Sequence, residues 1–312
     1  MTDRMQGTTD RRGYRARAGI TALNLIVPGL GLIRVGDWRS GMLFLAAPFA
    51  LAALVTFGFG HLPVTSYAGA LSALVLVIAL LASLYIAPAA LTWRESKIRL
   101  PAYGWSRWYG LVMIAAVVIG LWQVAPPLMH RFYKPFYAPS ASMAPTIGEG
   151  DKFVVDMRWR GPLKRGEVVV FRAADSVRVS RIAAVAEDRI AMRAGVPVVN
   201  GVAAIQHPQG TMTLKDYDGP HQVAVLAERL PGETSVHRVL DAGSSEFDDM
   251  GEAVVPADHF FVLGDNRDRS ADSRVPREQL GVGMVPLPAI IGRPTYIHWS
   301  SDRAKIGDRL DR

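Results

Sequence analysis

The stretch Tyr137-Ala-Pro-Ser-Ala-Ser-Met-Ala-Pro-Thr146 lies where the character of the sequence changes. Long apolar runs without charge precede it, whereas nearly all of the acidic residues follow Pro126. The stretch itself holds two alternating serines, Ser140 and Ser142, between two prolines. By composition alone, a short segment rich in Ser and Pro is typical of a loop or linker. Its neighbours on both sides therefore decide whether it has a chemical role.

Three apolar segments before this stretch are long enough to cross a membrane. They comprise residues 41–59, 68–91 and 109–129. A helix rises about 1.5 Å per residue, so each segment can span a hydrocarbon core of about 30 Å. All three are apolar on every face, unlike the amphipathic core helices of soluble proteins. A fourth segment, residues 19–33, contains Pro28 and Gly29. These residues break a helix and free backbone groups that lipid cannot satisfy, so this segment is predicted to be re-entrant or interfacial.

The distribution of Lys and Arg predicts the orientation of these segments. Basic residues precede residue 19 and recur in residues 34–39 and 94–107, whereas the short loop 60–67 has none. Cytoplasmic loops carry the excess of positive charge in membrane proteins. The N-terminus is therefore predicted to be cytoplasmic. The last span then runs outward, and everything after Met129 lies on the outer side.

The composition excludes several kinds of site. The chain has no cysteine, and this excludes disulfides, thiolate zinc sites and a cysteine nucleophile. Its formal net charge is +7. The arginines flank apolar runs and no nucleic-acid-binding motif is found, so the predicted partner is the lipid bilayer rather than nucleic acid. Arg267 and Arg269 stand where a calcium loop needs acidic ligands. No metal and no other cofactor is implied.

Residues 131–300 are predicted to form a β-rich domain after a membrane domain of residues 1–130. Short β-branched runs bounded by turn residues indicate several strands. These runs are residues 152–156, 167–171, 196–200, 222–226 and 259–263. Asn200-Gly201 is predicted to be a two-residue hairpin turn, because both residues tolerate positive φ. The charged tail, residues 301–312, is predicted to fray.

Three motifs of the β-rich half occur in a recognisable order. They are Pro139-Ser-Ala-Ser-Met-Ala-Pro-Thr146 followed by Gly150-Asp151, Lys164-Arg-Gly-Glu-Val-Val-Val-Phe171, and Gly264-Asp-Asn-Arg-Asp-Arg-Ser-Ala-Asp-Ser-Arg274. In order and wording they resemble the type I signal peptidases, the membrane-bound serine proteases of family S26, over about residues 136–293.

The resemblance implies an α-helical membrane region followed by a mostly β catalytic domain. It implies a location in a bacterial inner membrane, with the catalytic domain on the periplasmic side. The implied activity is the removal of signal peptides from exported preproteins after small, Ala-x-Ala-like residues. The implied partners are preproteins, the bilayer and the secretion machinery. A dedicated maturation peptidase for one pilus or conjugation substrate is an alternative within the family.

The resemblance also assigns roles position by position. Ser142 is implied to be the nucleophile, and Ser140 the side-chain donor to the oxyanion. Ser270 and Asp272 belong to the loop that orients the general base and braces the site, and Arg274 is implied to pair within that loop. These roles agree with the chemistry. A serine hydroxyl needs a base to take its proton, and the tetrahedral intermediate needs preorganised hydrogen-bond donors.

One position departs from the family pattern. The family's general base is a lysine followed by an arginine; here Arg181 matches the arginine, and Ser180 stands at the lysine position. A serine cannot take up the proton that a buried lysine of lowered pKa accepts.

Three interpretations of this departure are open. A base from elsewhere in the chain substitutes, with Lys152, Lys164, His237 and His259 as candidates. Alternatively, Ser180 holds a water or forms a Ser/Ser arrangement of weak activity. In the third, the protein is an inactive relative that binds signal sequences or regulates another peptidase.

Overall fold

A computed structural model describes residues 2–58, 67–96, 106–159, 161–173, 176–216 and 219–311. The chain forms two compact units, with the boundary between Met129 and His130. Within the described residues, the first unit is helical and the second consists mainly of β-strands.

The helices of the first unit are α1 (Thr2–Ile26), α2 (Leu30–Val35), α3 (Trp38–Gly58), α4 (Tyr67–Glu95) and α5 (Trp108–Met129). By length and composition, two of the described helices, α3 and α4, can cross a membrane. The apolar part of α5, Trp108–Val124, is shorter. It extends only about 26 Å, less than a hydrocarbon core of about 30 Å. The expectation of three spans is therefore corrected to two candidates.

The predicted helix break lies between α1 and α2, where Pro28 interrupts the chain. The side chain of Asn24 is buried beside the break. Its Oδ1 accepts from the N–H of Gly29 at 3.0 Å and of Gly31 at 3.2 Å, and its Nδ2 donates to Thr92 Oγ1 at 3.0 Å. Asn24 thus satisfies backbone groups that the break frees.

Whether the segment is re-entrant, and how the helices are oriented, stay predictions. Residues 60–66 and 97–105, which carry part of the charge argument, lie outside the described residues.

The second unit contains fourteen strands among the described residues. They are β1 (Tyr133–Tyr137), β2 (Lys152–Asp156), β3 (Val168–Ala173), β4 (Ser176–Ala184), β5 (Arg189–Arg193), β6 (Val196–Val199), β7 (Val202–Ala203), β8 (Ile205–Asp216), β9 (Gly219–Arg229), β10 (His237–Asp241), β11 (Met250–Val254), β12 (His259–Leu263), β13 (Val285–Pro286) and β14 (Ile290–Trp299). They form a seven-stranded sheet in the order β1-β2-β14-β3-β4-β12-β13, and smaller sheets in the orders β10-β9-β8 and β11-β5-β6-β7. The prediction of a mostly β domain is confirmed.

Strands β3, β4 and β12 lie side by side in the large sheet. These strands are rich in β-branched and aromatic residues, which favour a pleated and buried surface. Phe171 of β3 meets Phe260 of β12 edge to face, with the ring centroids 6.0 Å apart. Two predicted strands coincide with β2 and β12, and the other three overlap β3, β6 and β9. Asn200 and Gly201 both have positive φ, at 53° and 78°, and join β6 to β7 as predicted.

The described part of the tail, up to Asp311, packs against the large sheet instead of fraying. Leu310 is buried, and its N–H donates to the carbonyl of Thr295 in β14 at 2.8 Å. Lys305 Nζ pairs with Asp151 Oδ2 at 3.2 Å. The prediction of fraying is wrong because a single apolar side chain and a few backbone bonds anchor an otherwise charged segment.

Candidate active site

Four of the predicted site residues line one cavity of about 420 Å³ in the β unit. They are Ser140, Ser142, Ser180 and Ser270. These residues come from three separate parts of the chain: the turn after β1, strand β4 and the loop after β12. The fold therefore brings together hydroxyl groups that are as far as 130 positions apart in the sequence, counting from Ser140 to Ser270.

The Ser/Pro-rich stretch is an anchored turn rather than a linker. Met143 and Ile147 are buried in the core, and the Ile147 N–H donates to the Met143 carbonyl at 2.8 Å. The two serines stand at the surface of this turn, with Ser140 exposed and Ser142 half-buried. The Ser140 hydroxyl donates to Ser142 Oγ at 3.2 Å. A nucleophile and an oxyanion donor need this kind of proximity.

The loop after β12 holds the turn that carries Ser142. The Asn266 N–H donates to the Ser142 carbonyl at 3.0 Å, and Asn266 Nδ2 donates to the Ala141 carbonyl at 3.1 Å. Gly264 makes the close approach possible. A Cβ at this position would collide with the Ser270 side chain and would lie 2.7 Å from the Ser142 carbonyl oxygen. Glycine is therefore required where the loop passes behind Ser142.

Asp272, the fifth predicted residue, is buried and acts within the loop. Its Oδ2 accepts from the Gly264 N–H at 3.0 Å, and its Oδ1 accepts from the Arg274 N–H at 3.1 Å. The Arg274 guanidinium pairs with the same carboxylate at 2.9 Å. The implied pairing of Arg274 within the loop is thus confirmed. Because Asp272 holds Gly264, it also fixes the part of the loop nearest Ser142.

Ser180 faces the cavity from the middle of β4. Residues 176–180 all line the cavity, and because alternate residues of a strand share one face, Ser180 lies on the same face of β4 as Ser176 and Arg178. The Ser180 hydroxyl is buried and donates to the Val179 carbonyl at 2.8 Å. Sequence reasoning missed Arg178 as a lining residue, although the same alternation along β4 would have revealed it.

Arg181 lies on the opposite face of β4 and ties the strand to the site. It forms a bidentate pair with Asp265, with 2.7 Å between Nε and Oδ1. Burial raises the pKa of the Asp265 carboxyl, but the Arg181 charge outweighs burial and holds that pKa below its usual range. The Thr146 hydroxyl donates to Asp265 Oδ2 at 2.5 Å. Asp265 therefore joins β4 to the turn that carries Ser142.

Comparison with known proteins identifies the family. The family model described as "Signal peptidase, peptidase S26" matches residues 105–299. The chain belongs to this family. The prediction of a type I signal peptidase relationship, made from three motifs, is confirmed.

Similar proteins from several bacteria carry signal peptidase names. Signal peptidase I U of Bacillus subtilis (strain 168) is 29% identical over 193 residues, which cover 61% of this chain and 84% of that protein. Signal peptidase I of Bacillus caldolyticus is 30% identical over 161 residues, covering 51% of this chain and 75% of that protein. A crystal structure of a signal peptidase I from Enterococcus faecalis V583 matches with 18% identity and a TM-score of 0.25, covering 43% of this chain and 98% of that chain.

None of the four candidates for a substitute base lines the cavity of this S26 peptidase. Lys164 is exposed, and Lys152 Nζ lies 5.0 Å from the centroid of the Trp299 ring. His259 Nδ1 contacts a backbone carbonyl at 2.9 Å on the protein surface. Among the described lining residues, the charged ones are Arg178 and Arg269. An arginine stays protonated and cannot act as a base near neutral pH.

His237 belongs to a buried ionic network instead. Its Nδ1 lies 3.0 Å from Glu233 Oε1 and its Nε2 lies 3.1 Å from Glu228 Oε1. Burial and the Arg181 charge lower the pKa of His237, but the hydrogen bonds to both carboxylates outweigh them and raise that pKa overall. Arg267 also pairs with Glu228, through Nη1 and Oε2 at 3.0 Å. A protonated imidazole with two acceptors is a structural cation rather than a base.

Proposed function

We propose that the protein is a membrane-attached serine endopeptidase of the signal peptidase I type, which removes signal peptides from exported preproteins. The observation that carries the proposal is the grouping of Ser140, Ser142, Ser180 and Ser270 around one cavity in a chain of the S26 family. The names of the bacterial relatives support the substrate class. Small residues before the cleaved bond are the specificity that the family implies.

In the proposed mechanism, Ser142 Oγ attacks the carbonyl carbon of the scissile peptide bond. The oxyanion of the tetrahedral intermediate accepts hydrogen bonds from the Ser140 hydroxyl and the Ser142 N–H. The distance of 3.2 Å between the two hydroxyl oxygens supports this arrangement. A preorganised donor of this kind lowers the barrier by about 2.7–4 kcal/mol. Ser270 and Asp272 keep the loop behind Ser142 in position.

We propose that a water bound to Ser180 accepts the Ser142 proton and returns it to the leaving amine. The Ser180 hydroxyl uses its hydrogen on the Val179 carbonyl, so its oxygen is available as an acceptor toward the cavity. Water is a much weaker base than a lysine of lowered pKa. The relay therefore implies slow turnover. In it, Ser180 holds the water and does not itself accept the proton.

We propose that residues 1–130 form a membrane domain and that residues 131–300 face the outer side of a bacterial inner membrane. The two candidate spans, α3 and α4, support membrane attachment. An outward catalytic domain also requires a crossing by α5, and its apolar part of about 26 Å would need the bilayer to thin locally around it. Protease treatment of spheroplasts tests the orientation, because survival of the C-terminal half would contradict it.

The decisive experiment compares cleavage by the intact protein and by Ser142→Ala. The protein in detergent is given a preprotein with an Ala-x-Ala site, and Ser301→Ala, a change at an exposed position, serves as the matched control. We expect product from the intact protein and from the control, but none from Ser142→Ala. Equal product from all three would remove Ser142 from the mechanism. Binding without any cleavage by the intact protein would favour the inactive relative.

A further inference from the structure

The cavity beside Ser142 is cationic. Its walls are largely apolar, with Phe136, Met143 and Phe153 among the lining side chains. Two arginines, Arg178 and Arg269, also line it, and no described lining residue is Asp or Glu. A positive charge beside an apolar, low-dielectric wall attracts anions more strongly than the same charge in open water.

Arg178 contributes part of this charge from strand β4, which forms one side of the cavity. It stands two residues before Ser180 on the same face of β4. Its Nη1 donates to the Ala271 carbonyl at 3.4 Å and its Nη2 to the Leu280 carbonyl at 3.2 Å, while Nε contacts Ser176 Oγ at 3.4 Å. These contacts are long and all of the acceptors are neutral. A guanidinium has five N–H donors, and three nitrogens of Arg178 make these contacts. The neutral acceptors leave the positive charge uncompensated, and the remaining N–H groups can bind a ligand.

We infer that Arg178 is a specificity-determining residue that selects exported chains with an acidic side chain next to the scissile bond. The inference rests on the proposed function and names a substrate feature beyond the small-residue preference. The bidentate geometry of a guanidinium fits a carboxylate, and a lysine or arginine in the substrate would be repelled. Because Arg178 is half-buried, the expected discrimination is modest, about tenfold in kcat/KM between an acidic and a basic side chain.

The test uses matched peptides with an Ala-x-Ala site. Asp, Asn or Lys is placed in turn at each position flanking the cleaved bond, so that Asn serves as the neutral control of the same shape as Asp. Binding is measured with the Ser142→Ala protein, and cleavage with the intact protein. Tighter binding of the Asp peptide than of the Asn and Lys peptides at one position is expected. Equal binding of all three at every position would overturn the inference.

Variants assign the preference to Arg178. Arg178→Gln should abolish the discrimination among the three peptides, and Arg178→Glu should reverse it in favour of Lys. Arg172→Gln removes an arginine from the exposed end of the neighbouring strand β3, outside the cavity, and should leave the discrimination intact. A preference that persists in Arg178→Gln would refute the role of this residue. A lack of cleavage by intact protein that still binds the Asp peptide best would count against the proposed activity alone.

Discussion

The cavity beside Ser142 and the ionic network behind it differ in their titratable groups. The cavity offers hydroxyls and arginines, and its described lining contains no Lys, His, Asp or Glu. Charged groups are concentrated instead in the interior of the same unit. The buried network consists of Arg181, Arg267, Arg274, His237, Asp265, Glu228, Glu233 and Asp272.

The charges within the network balance one another. Three arginines face four carboxylates among these described residues, so one more positive charge is needed for balance. A protonated His237 supplies it, in agreement with the contacts of both ring nitrogens and with the raised pKa of this side chain. Both ring nitrogens of His237 are therefore engaged within the network, and this histidine is unsuited to accept the Ser142 proton. The network therefore has a structural role and does not supply the base that the proposed mechanism needs.

Breaking the network should have the largest effect on stability. We expect Glu228→Ala to lower the free energy of unfolding by about 3–5 kcal/mol, because it leaves Arg267 as an uncompensated buried charge. Glu252→Ala is the matched control. It removes an exposed carboxylate that pairs with Arg189 at 2.8 Å, and should cost less than about 1 kcal/mol. Chemical denaturation of the two variants measures the difference, and equal losses would show that the network does not anchor the unit.

Supplying the cavity with a base should have the next largest effect. A lysine at position 180 would be buried, and burial lowers the pKa of an ammonium group toward the range of a useful base. We expect Ser180→Lys to raise kcat by about 10²-fold or more. Ser176→Lys adds a lysine to the same face of β4 and the same cavity, and should give no comparable gain. A gain from both variants, or from neither, would contradict the role of position 180.

The two regions also differ in how far the sequence predicts them. The hydroxyl groups occur in short motifs with local spacing, and β2 and β12 follow from runs of β-branched and aromatic residues. Within the network, Asp272 and Arg274 belong to one short motif and their pairing is predicted, but the pairs between distant residues have no local signal. Arg181 and Asp265 are 84 positions apart, and Glu228 and Arg267 are 39 apart. Such pairs form only when the fold brings the strands together. From the sequence alone His237 is a candidate base, whereas in the fold it is a buried cation.

Gly264 connects the two regions, because its N–H donates to Asp272 of the network and it lies against Ser270 and the Ser142 carbonyl beside the cavity. We expect Gly264→Ala to reduce kcat/KM by about tenfold, because the Cβ displaces Ser270 or the Ser142 carbonyl and small misplacements of catalytic groups are costly. Gly251→Ala is the control, since a Cβ there has no atom within 4 Å. Steady-state cleavage of a preprotein by the two variants is the measurement. Unchanged activity in Gly264→Ala would show that the loop tolerates a shift behind Ser142.

The smallest predicted effect is a pH dependence of stability that originates in the network. His237 has a raised pKa in the folded protein, so its contribution is fully present below the unfolded value of about 6.5. That contribution is lost as pH rises through the folded pKa, since the neutral ring donates to only one of the two carboxylates. The free energy of unfolding should therefore decline with pH above neutrality in the intact protein. His237→Gln should lose this decline, whereas His207→Gln, which removes an exposed histidine of β8, should keep it. A decline that survives in His237→Gln would mean that His237 is not the cation that balances the network.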